Sequence, residues 1–356
     1  MYSLLLYERP VVDATGFRDN ITPIARNWQR SIKAVGGFWT GSFFISAEDW
    51  KPARLVRFFD YSIGNRIVER TGTEMTWEGE IVQMRLTLSG LTWLRSLDPE
   101  RWRNKVKVQW GGGETAWSEN TDSSDLYGES AYIDQASAVF DTTTAKARRD
   151  RILTMDAYPR SHAESGLVLN PEREPVPDGL EVLCAGYALS MNRRFQETNI
   201  SAANISTQIS TLVGNSEFVS TGGIDTNSTQ SAVIVAGTPI RLWDAIAELI
   251  QMGDSSGNDW VGGVYARRKM DYNQAETAVT YRWIQGQLYD QASRMPEPTK
   301  VQPDIVVKII GAPYMRATPG TATRDRPDHI YIEEVEFVAP DRLRLIPRRP
   351  EPTPET

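Results

Sequence analysis

The feature that most limits how this chain can fold is a long alternation of apolar and polar side chains over Thr76–Leu88 (TWEGEIVQMRLTL). From Val82 to Leu88 every second residue is apolar, and a polar residue fills each position between them. Successive side chains of a β-strand point to opposite faces of its sheet. The alternation therefore predicts a strand with one buried face and one face in water.

Two further runs place this strand in a larger sheet. Phe38–Ile45 (FWTGSFFI) precedes it, and Lys105–Trp110 (KVKVQW) follows it with the same alternation. Asn65, Gly72 and Gly90 supply turn positions between the runs. The N-terminal part of the chain is therefore predicted to form a small antiparallel barrel or sandwich, with no catalytic pattern of its own.

Helices are predicted at three places, and the shortest of them is an amphipathic helix over Ser201–Val213. Over Asp141–Asp156 the first residues offer an N-cap, and apolar side chains recur on one side of the helix. Near 239–252, Pro239 suits a first helical turn, where its missing N–H has no partner to lose. Gly253 is expected to end this helix.

The remaining segments are expected to be strands and loops. Leu180–Phe195 has strand character, with Gly186 as a bulge or bend. Asn170–Gly179 holds three prolines and is expected to be a linker, and the tail from residue 346 is expected to be flexible. Further strands are predicted at Gly262–Ala266, Val279–Ile284, Ile305–Ile310 and Tyr331–Phe337.

Composition argues against several classes of protein. The 39 basic and 46 acidic residues give a net charge of −7 without a dense basic run, which argues against a general binder of the phosphate backbone. The single cysteine, Cys184, excludes an internal disulfide and a cysteine-cluster metal site, and its apolar neighbours predict a buried, inert thiol. Two short basic clusters, Arg193-Arg194 and Arg267–Lys269, are expected at solvated edges of strands or turns. No apolar run approaches the roughly 20 residues of a membrane helix.

Paired carboxylates are the strongest indication of an enzyme. Glu78 and Glu80 share a face of one predicted strand, and Glu334 and Glu336 share a face of another. Residues two apart on a strand lie about 6.5–7 Å apart, which overlaps the spacing of the two acids of an inverting glycosidase. The alternative is a solvated strand face or a subunit contact, because alternating polar faces generate such pairs routinely.

Other motifs give weaker indications of chemistry. The only histidines, His162 and His329, lack the partner ligands of a zinc site, although a spatial Ser–His–Asp triad stays open. Gly111–Gly113 lacks the Lys-Ser/Thr of a phosphate cradle and is expected to be a flexible corner between domains. Asp254–Asp259 fails the calcium-loop pattern and predicts a turn with side-chain to backbone hydrogen bonds. Three tryptophans near glycine-rich turns are candidates for stacking on sugars, or for core or interface anchors: Trp110, Trp117 and Trp260.

Several segments, taken in order, resemble the baseplate hub and tail-tip proteins of tailed bacteriophages. The resemblance runs from about Ile24 to Phe337, and it depends on order and spacing rather than on any single motif. Nothing after Phe337 resembles a peptidase, a lysozyme or a fibre shaft. The segments that carry the resemblance are Ser31–Ser46, Thr76–Gly90, Ser123–Gln135 with the following Thr143–Leu153, Leu180–Arg194, Thr238–Trp260 and Tyr331–Phe337.

The resemblance implies a β-rich α+β fold, in which two small tube-like β-barrel domains are interleaved with smaller α/β domains. The expected boundaries are a first hub barrel at 1–112, an α/β domain at 113–170 with a helix near 141–156, and a second hub barrel built from 171–200 together with 300–345. An α/β domain at 201–299, with a helix near 239–252, and a flexible tail at 346–356 complete the chain.

The resemblance also implies a role in the virion. Three copies would form a ring that joins the tail tube to a central spike or tail fibre and lines the ejection channel, in transient contact with DNA or a tape-measure protein. The chain would be made in the cytoplasm of a host bacterium and located in the virion tail, without inserting into a membrane itself. No catalytic, cofactor-binding or metal-binding residue is expected. The rival interpretations are a cell-wall-degrading glycosidase or peptidase, which would use the paired glutamates, and a carbohydrate-binding receptor module, which would use Trp260.

Overall fold

The computed structural model describes residues 2–13, 15–139, 141–163, 178–197, 199–226, 231–234, 239–310 and 329–348. The strands in these ranges are β1 Tyr2–Tyr7, β2 Phe17–Asn20, β3 Arg26–Lys33, β4 Val35–Ser46, β5 Arg66–Thr71, β6 Glu74–Leu88, β7 Leu91–Ser96, β8 Lys105–Trp110, β9 Gly113–Glu114, β10 Ser118–Glu119, β11 Ala131–Gln135, β12 Ser161–Ala163, β13 Gly179–Ala185, β14 Phe195–Gln196, β15 Ile200–Asn204, β16 Ser220–Ile224, β17 Ser231–Ile234, β18 Ile240–Arg241, β19 Trp260–Tyr265, β20 Lys269–Gln274, β21 Val279–Ile284, β22 Gln287–Asp290, β23 Ile305–Ile309, β24 His329–Val338 and β25 Arg342–Pro347.

The helices are α1 Pro10–Asp13, α2 Pro52–Tyr61, α3 Thr121–Tyr127, α4 Thr142–Asp156, α5 Tyr187–Met191, α6 Ile205–Gly214 and α7 Leu242–Gln251. Both principal helix predictions are confirmed. Asp141 caps α4 by accepting a hydrogen bond from the Thr144 N–H at 2.9 Å. Helix α7 begins at Leu242 with Arg241 as its N-cap, so the placement of Pro239 in its first turn is wrong: Pro239 precedes the short strand β18 instead. Gly253 follows the helix with a φ of +63°, as predicted.

A curled sheet forms the N-terminal half-barrel. Its strands pair in the order β1–β5–β6–β13–β4–β3, all antiparallel. The inward side chains make one apolar core that includes Leu4, Trp28, Phe43, Trp77 and Met84. The fold is thus β-rich α+β, as predicted, with a large sheet curled into a half-barrel.

The alternation in β6 changes face at a bulge. Cys184 pairs with Ile81, but its neighbour Leu183 pairs with Gln83, so Val82 is the extra residue. Ile81 and Met84 therefore both enter the core, whereas Val82 is half-buried outside it. The predicted single apolar face is correct from Met84 onward and wrong at Val82.

Strand β13 belongs to the half-barrel. It lies between β4 and β6, whereas the sequence analysis grouped residues 171–200 with 300–345 in a second barrel. The reason is its alternating pattern. Every second residue, Leu180, Val182 and Cys184, points inward and packs in the same core as Trp77. The strand ends at Ala185, and Gly186 begins the short helix α5 rather than a bulge. Residues 164–177, which include most of the predicted linker, lie outside the described residues.

A C-terminal sheet follows the order β22–β21–β23–β24–β25. Its own small core includes Leu288, Val307 and Val335. Strand β24 also pairs with β3, so the half-barrel and the C-terminal sheet are parts of one 17-stranded sheet. Residues 346 and 347, predicted to be tail, belong to β25, and 349–356 lie outside the described residues.

An α/β body spans residues 187–275. Helices α5, α6 and α7 pack with β16, β19 and β20 around a core that includes Tyr187, Ile209 and Ile246. The four strands β8, β9, β10 and β11 form a separate small sheet, and helix α4 packs against its face.

Three glycines, Gly36 and Gly37 on β4 and Gly263 on β19, allow the α/β body to join the half-barrel. Strand β19 runs parallel to the start of β4, and Gly263 faces Gly36. A Cβ at Gly263 would lie 2.1 Å from the Gly37 nitrogen, and a Cβ at Gly37 would lie 2.3 Å from the Val264 oxygen. Only residues without a Cβ allow the two backbones to come this close.

We expect Gly263→Ala to lower the free energy of unfolding by about 1–3 kcal/mol, because β19 must move away from β4 to admit the methyl group. Gly111→Ala is the matched control, since a Cβ there meets nothing within 4 Å, and its effect should stay within about 0.5 kcal/mol. Urea denaturation of the three proteins makes the comparison. Equal stabilities for Gly263→Ala and the parent chain would contradict this account of the junction.

Candidate functional site

The strongest sequence candidates, Glu78 and Glu80, lie on the outer face of β6, where the α/β body covers the half-barrel. We call this contact the seam, defined by the buried residues Glu78, Glu80, Tyr187 and Arg193 and by the backbone of Arg267, whose side chain is exposed. Glu78 and Glu80 are 1% and 2% exposed. The two glutamates share one strand face, as predicted, but that face is buried and not solvated.

Both carboxylate oxygens of Glu78 accept a hydrogen bond. Its Oε1 accepts a hydrogen bond from Arg66 Nε at 2.7 Å, and its Oε2 accepts one from the backbone N–H of Arg267, also at 2.7 Å. Arg267 and Arg268 both have positive φ angles, +62° and +58°, which side-chain-bearing residues adopt at a cost. The carboxylate of Glu78 holds this unusual turn of the α/β body against the half-barrel.

Glu80 forms a two-pronged ion pair with Arg193. The Arg193 Nη2 donates to Oε1 at 2.5 Å and Nη1 donates to Oε2 at 3.3 Å. Burial raises the pKa of Glu80, and the Arg193 guanidinium opposes that shift. Arg193 also lies over the Trp102 ring and, through its carbonyl, accepts a hydrogen bond from Ala131 of the small sheet. One ion pair thus connects three units of the fold.

A second buried pair, which the sequence analysis missed, lies inside the half-barrel. Arg30 Nε donates to Glu69 Oε2 at 2.6 Å, and both side chains are 0% exposed. Trp28 Nε1 and Thr76 Oγ1 donate to the same carboxylate. The signal was present in the sequence, because Glu69 comes two residues after Ile67 and therefore shares the strand face that Ile67 buries.

The other glutamate pair is on the surface. Glu334 and Glu336 lie half-buried on β24, and Glu336 pairs with Arg344 of β25 at 3.1 Å. Cross-strand register also sets Glu334 opposite Lys33 of β3. The two glutamates therefore lie on a partly solvated strand face opposite basic residues. A solvated face was one of the alternatives to a catalytic pair.

The two histidines are far apart in the sheet. His162 is on β12, where its Nε2 lies 2.9 Å from Arg101 Nη1, and the arginine must be the donor. His329 begins β24, opposite Lys308. Along the sheet, strands β7, β6, β13, β4 and β3 separate them. The structure does not bring them into one site.

The two loop motifs are structural turns. Gly111 and Gly112 form the tight turn of the β8–β9 hairpin rather than a corner between domains. Asp254 accepts hydrogen bonds from the backbone N–H groups of Ser256 and Asn258, which confirms the predicted turn. Hydrogen bonds from Asn258, Trp260 and Ser256 lower the pKa of Asp254 to about 2.

Of the three tryptophans, Trp260 is buried, and Trp110 and Trp117 are half-buried. Trp260 is 5% exposed, stacks on Tyr272 with 4.8 Å between ring centroids and donates to Asp254 Oδ2. Trp117 donates to Glu197, with the ammonium groups of Lys105 and Lys107 near its ring. Trp110 packs on the core of the small sheet. Trp260 is therefore a core anchor and not a sugar platform.

The remaining sequence candidates are also explained by burial. Cys184 is fully buried in the half-barrel core, and burial raises the pKa of its thiol, as expected for an inert cysteine. Arg193 is 4% exposed and paired, so the expectation of a solvated edge is wrong for it. Within the described ranges, no three His, Cys, Asp or Glu side chains are grouped so that they could hold a metal ion.

A scan against protein-family models finds no match, and a search of the curated proteins finds none either. No helix in the described part of the chain combines the length and apolar character needed to cross a bilayer.

We expect Glu80→Gln to cost about 3–5 kcal/mol of unfolding free energy, because it leaves the Arg193 guanidinium buried without a counter-charge. Glu336→Gln is the matched control: its ion pair is exposed, and its loss should cost no more than about 1 kcal/mol. Guanidinium denaturation of both variants provides the measurement. A Glu80→Gln protein as stable as the control would show that the seam does not depend on this pair.

Proposed function

We propose that this chain is a structural component of a phage virion: a homotrimeric baseplate hub or tail-tip platform. It would join the tail tube to a central spike or fibre and line the ejection channel. The observation that carries the proposal is the continuous sheet. Through the β3–β24 pairing, the half-barrel and the C-terminal sheet form one rigid framework, and smaller α/β units lie between them in the chain. The resemblance to hub proteins implies two tube-like β-barrel domains interleaved with smaller α/β domains, and the order of sheet and α/β units along this chain supports the proposal.

The charge of the chain fits this role. A net charge of −7 gives a wall that does not retain passing phosphates, whereas a basic wall would bind them. The partners we propose are two further copies of the chain, the distal tail or tail-tube proteins and a spike or fibre. DNA or a tape-measure protein would pass through the channel, and the chain itself would not insert into a membrane. The proposed location is the virion tail, after synthesis in the bacterial cytoplasm.

The rival functions have less support. A glycosidase needs two carboxyl groups that reach a substrate, but Glu78 and Glu80 are buried and bonded within the seam. Glu334 lines a concavity of about 860 Å³ between the C-terminal sheet and the α/β body, but its neighbour Glu336 is paired with Arg344. The receptor interpretation depended on Trp260, whose ring is covered.

The proposal predicts a trimer in solution. Light scattering after size exclusion, and native mass spectrometry, should give a species of about three times the 40.0 kDa chain, either alone or on addition of tail-tube and spike partners. A population of monomers at all concentrations, with those partners present, would contradict the hub function.

A further inference from the structure

A shallow concavity of about 330 Å³ lies on the outer face of the half-barrel, across strands β3, β4, β13 and β6. Its lining residues form two rows, because the register of the four strands places them side by side. The first row runs Gln29, Ser42, Leu183 and Gln83, one residue from each strand. The second runs Phe44, Glu181 and Arg85 across β4, β13 and β6, and Asn27 lines the end of the concavity at β3. We call these eight residues the outer concavity.

The polar groups of the outer concavity are amides, a hydroxyl and one closed ion pair. Arg85 Nη1 donates to Glu181 Oε2 at 3.0 Å, so the two charges cancel within the site. Gln29 and Gln83 stand at the two ends of the first row, and each side-chain amide can donate and accept. Gln29 already donates to Ser42 Oγ at 2.9 Å, which orients its amide. The site therefore offers neutral, planar hydrogen-bonding groups at its margins.

Two apolar side chains lie in the middle strands of the outer concavity. Leu183 is 39% exposed, which is unusual for a leucine on a central strand, and Phe44 is half-buried. The Phe44 ring reaches across to β13 because Gly179 has no side chain: a Cβ there would lie 2.3 Å from Phe44 Cζ. The ring thus lies along the sheet instead of standing away from it. A central apolar strip with polar margins is exposed on this face.

We propose that the outer concavity binds a neutral sugar, one or two pyranose units long. A pyranose has an apolar C–H face, which fits Phe44 and Leu183, and a rim of hydroxyl groups, which fits the amides and the Arg85–Glu181 pair. The volume is at the lower end of small-molecule pockets, which suits a ligand of this size. The concavity lies over paired central strands, so a peptide cannot add to the sheet there as an extra strand.

Phe44 and Leu183 lie at neighbouring positions in the two rows. Together they form an apolar strip, whereas the apolar side chains common on protein surfaces are scattered singly. Trp260 was a candidate for stacking on a sugar, but it is buried. The aromatic side chain that could stack on a sugar in the structure is Phe44, which the sequence indicated only as part of a strand.

Saturation-transfer NMR on the full chain tests this proposal. The probes are the methyl glycosides of glucose, galactose, mannose and N-acetylglucosamine, with methyl glucuronoside as a charged comparison. For a ligand this small in an open site we expect a Kd of roughly millimolar for at least one neutral glycoside. Because the site is neutral, the glucuronoside should bind no more tightly than the glucoside. No saturation transfer to any neutral glycoside, or tighter binding of the glucuronoside, would overturn the proposal.

Variants locate the site. Phe44→Ala and Gln83→Ala should each weaken binding at least about tenfold, the range expected when a central anchor or a hydrogen-bonding group is lost. Their matched controls are Phe17→Ala on β2 and Gln135→Ala on β11, which lie outside the outer concavity and should leave binding unchanged. Gln83→Ala removes only a half-buried polar side chain, so it stays informative if Phe44→Ala fails to fold. Binding that survives both site variants would place the sugar elsewhere and refute the proposal, whatever the oligomeric state of the chain.

Discussion

The rest of the structure depends on one buried ion pair, Arg30 with Glu69, in the interior of the half-barrel. Two charges removed from water cost free energy unless hydrogen bonds replace most of the water that they lose. Here the partners come from distant parts of the chain: Trp28 and Thr76 donate to the carboxylate, and the carbonyl oxygen of Thr299 accepts from Arg30 Nη2 at 2.6 Å. Arg30 Nη1 has no hydrogen-bond partner among the described residues, and the guanidinium lies over the Phe337 ring. Because residue 299 leads into the C-terminal sheet, the pair fixes that sheet to the half-barrel in addition to the β3–β24 pairing.

Buried carboxylates also join two units on the outside of β6. There Glu78 accepts a hydrogen bond from the Arg267 backbone, and Glu80 forms an ion pair with Arg193 of the α/β body. Carboxylates with this degree of burial are often interpreted as catalytic. In this protein their oxygens are bonded to the groups that hold the units together, and the pairs lie at contacts between units rather than in an open cleft. That distribution suits an architectural part, whose work is to keep several units in a fixed relation. The outer concavity, by contrast, exposes its polar groups to solvent.

Local features of the fold were predictable from the sequence, because they depend on neighbouring residues. The N-cap at Asp141, the stop at Gly253 and the alternation after Met84 all follow from short-range rules. The partners of β13 were not predictable, since its alternating pattern would suit either sheet, and the bulge at Val82 depends on register with that strand. Glu78 and Glu80 were expected in a catalytic pair, on a solvated face or at a subunit contact, and Arg193 was expected at a solvated edge. Nothing in a single sequence shows that another unit of the same chain will cover a strand face.

A double-mutant cycle on Arg30 and Glu69 tests the central claim most directly, with unfolding free energies measured for Arg30→Met, Glu69→Leu and the combined variant. If the pair organises the half-barrel, each single change leaves a buried charge unpaired and costs about 3–5 kcal/mol, whereas the double change costs less than the sum by about 2 kcal/mol or more. Losses that simply add would contradict the account, since they would show that the two charges are stabilised independently of each other.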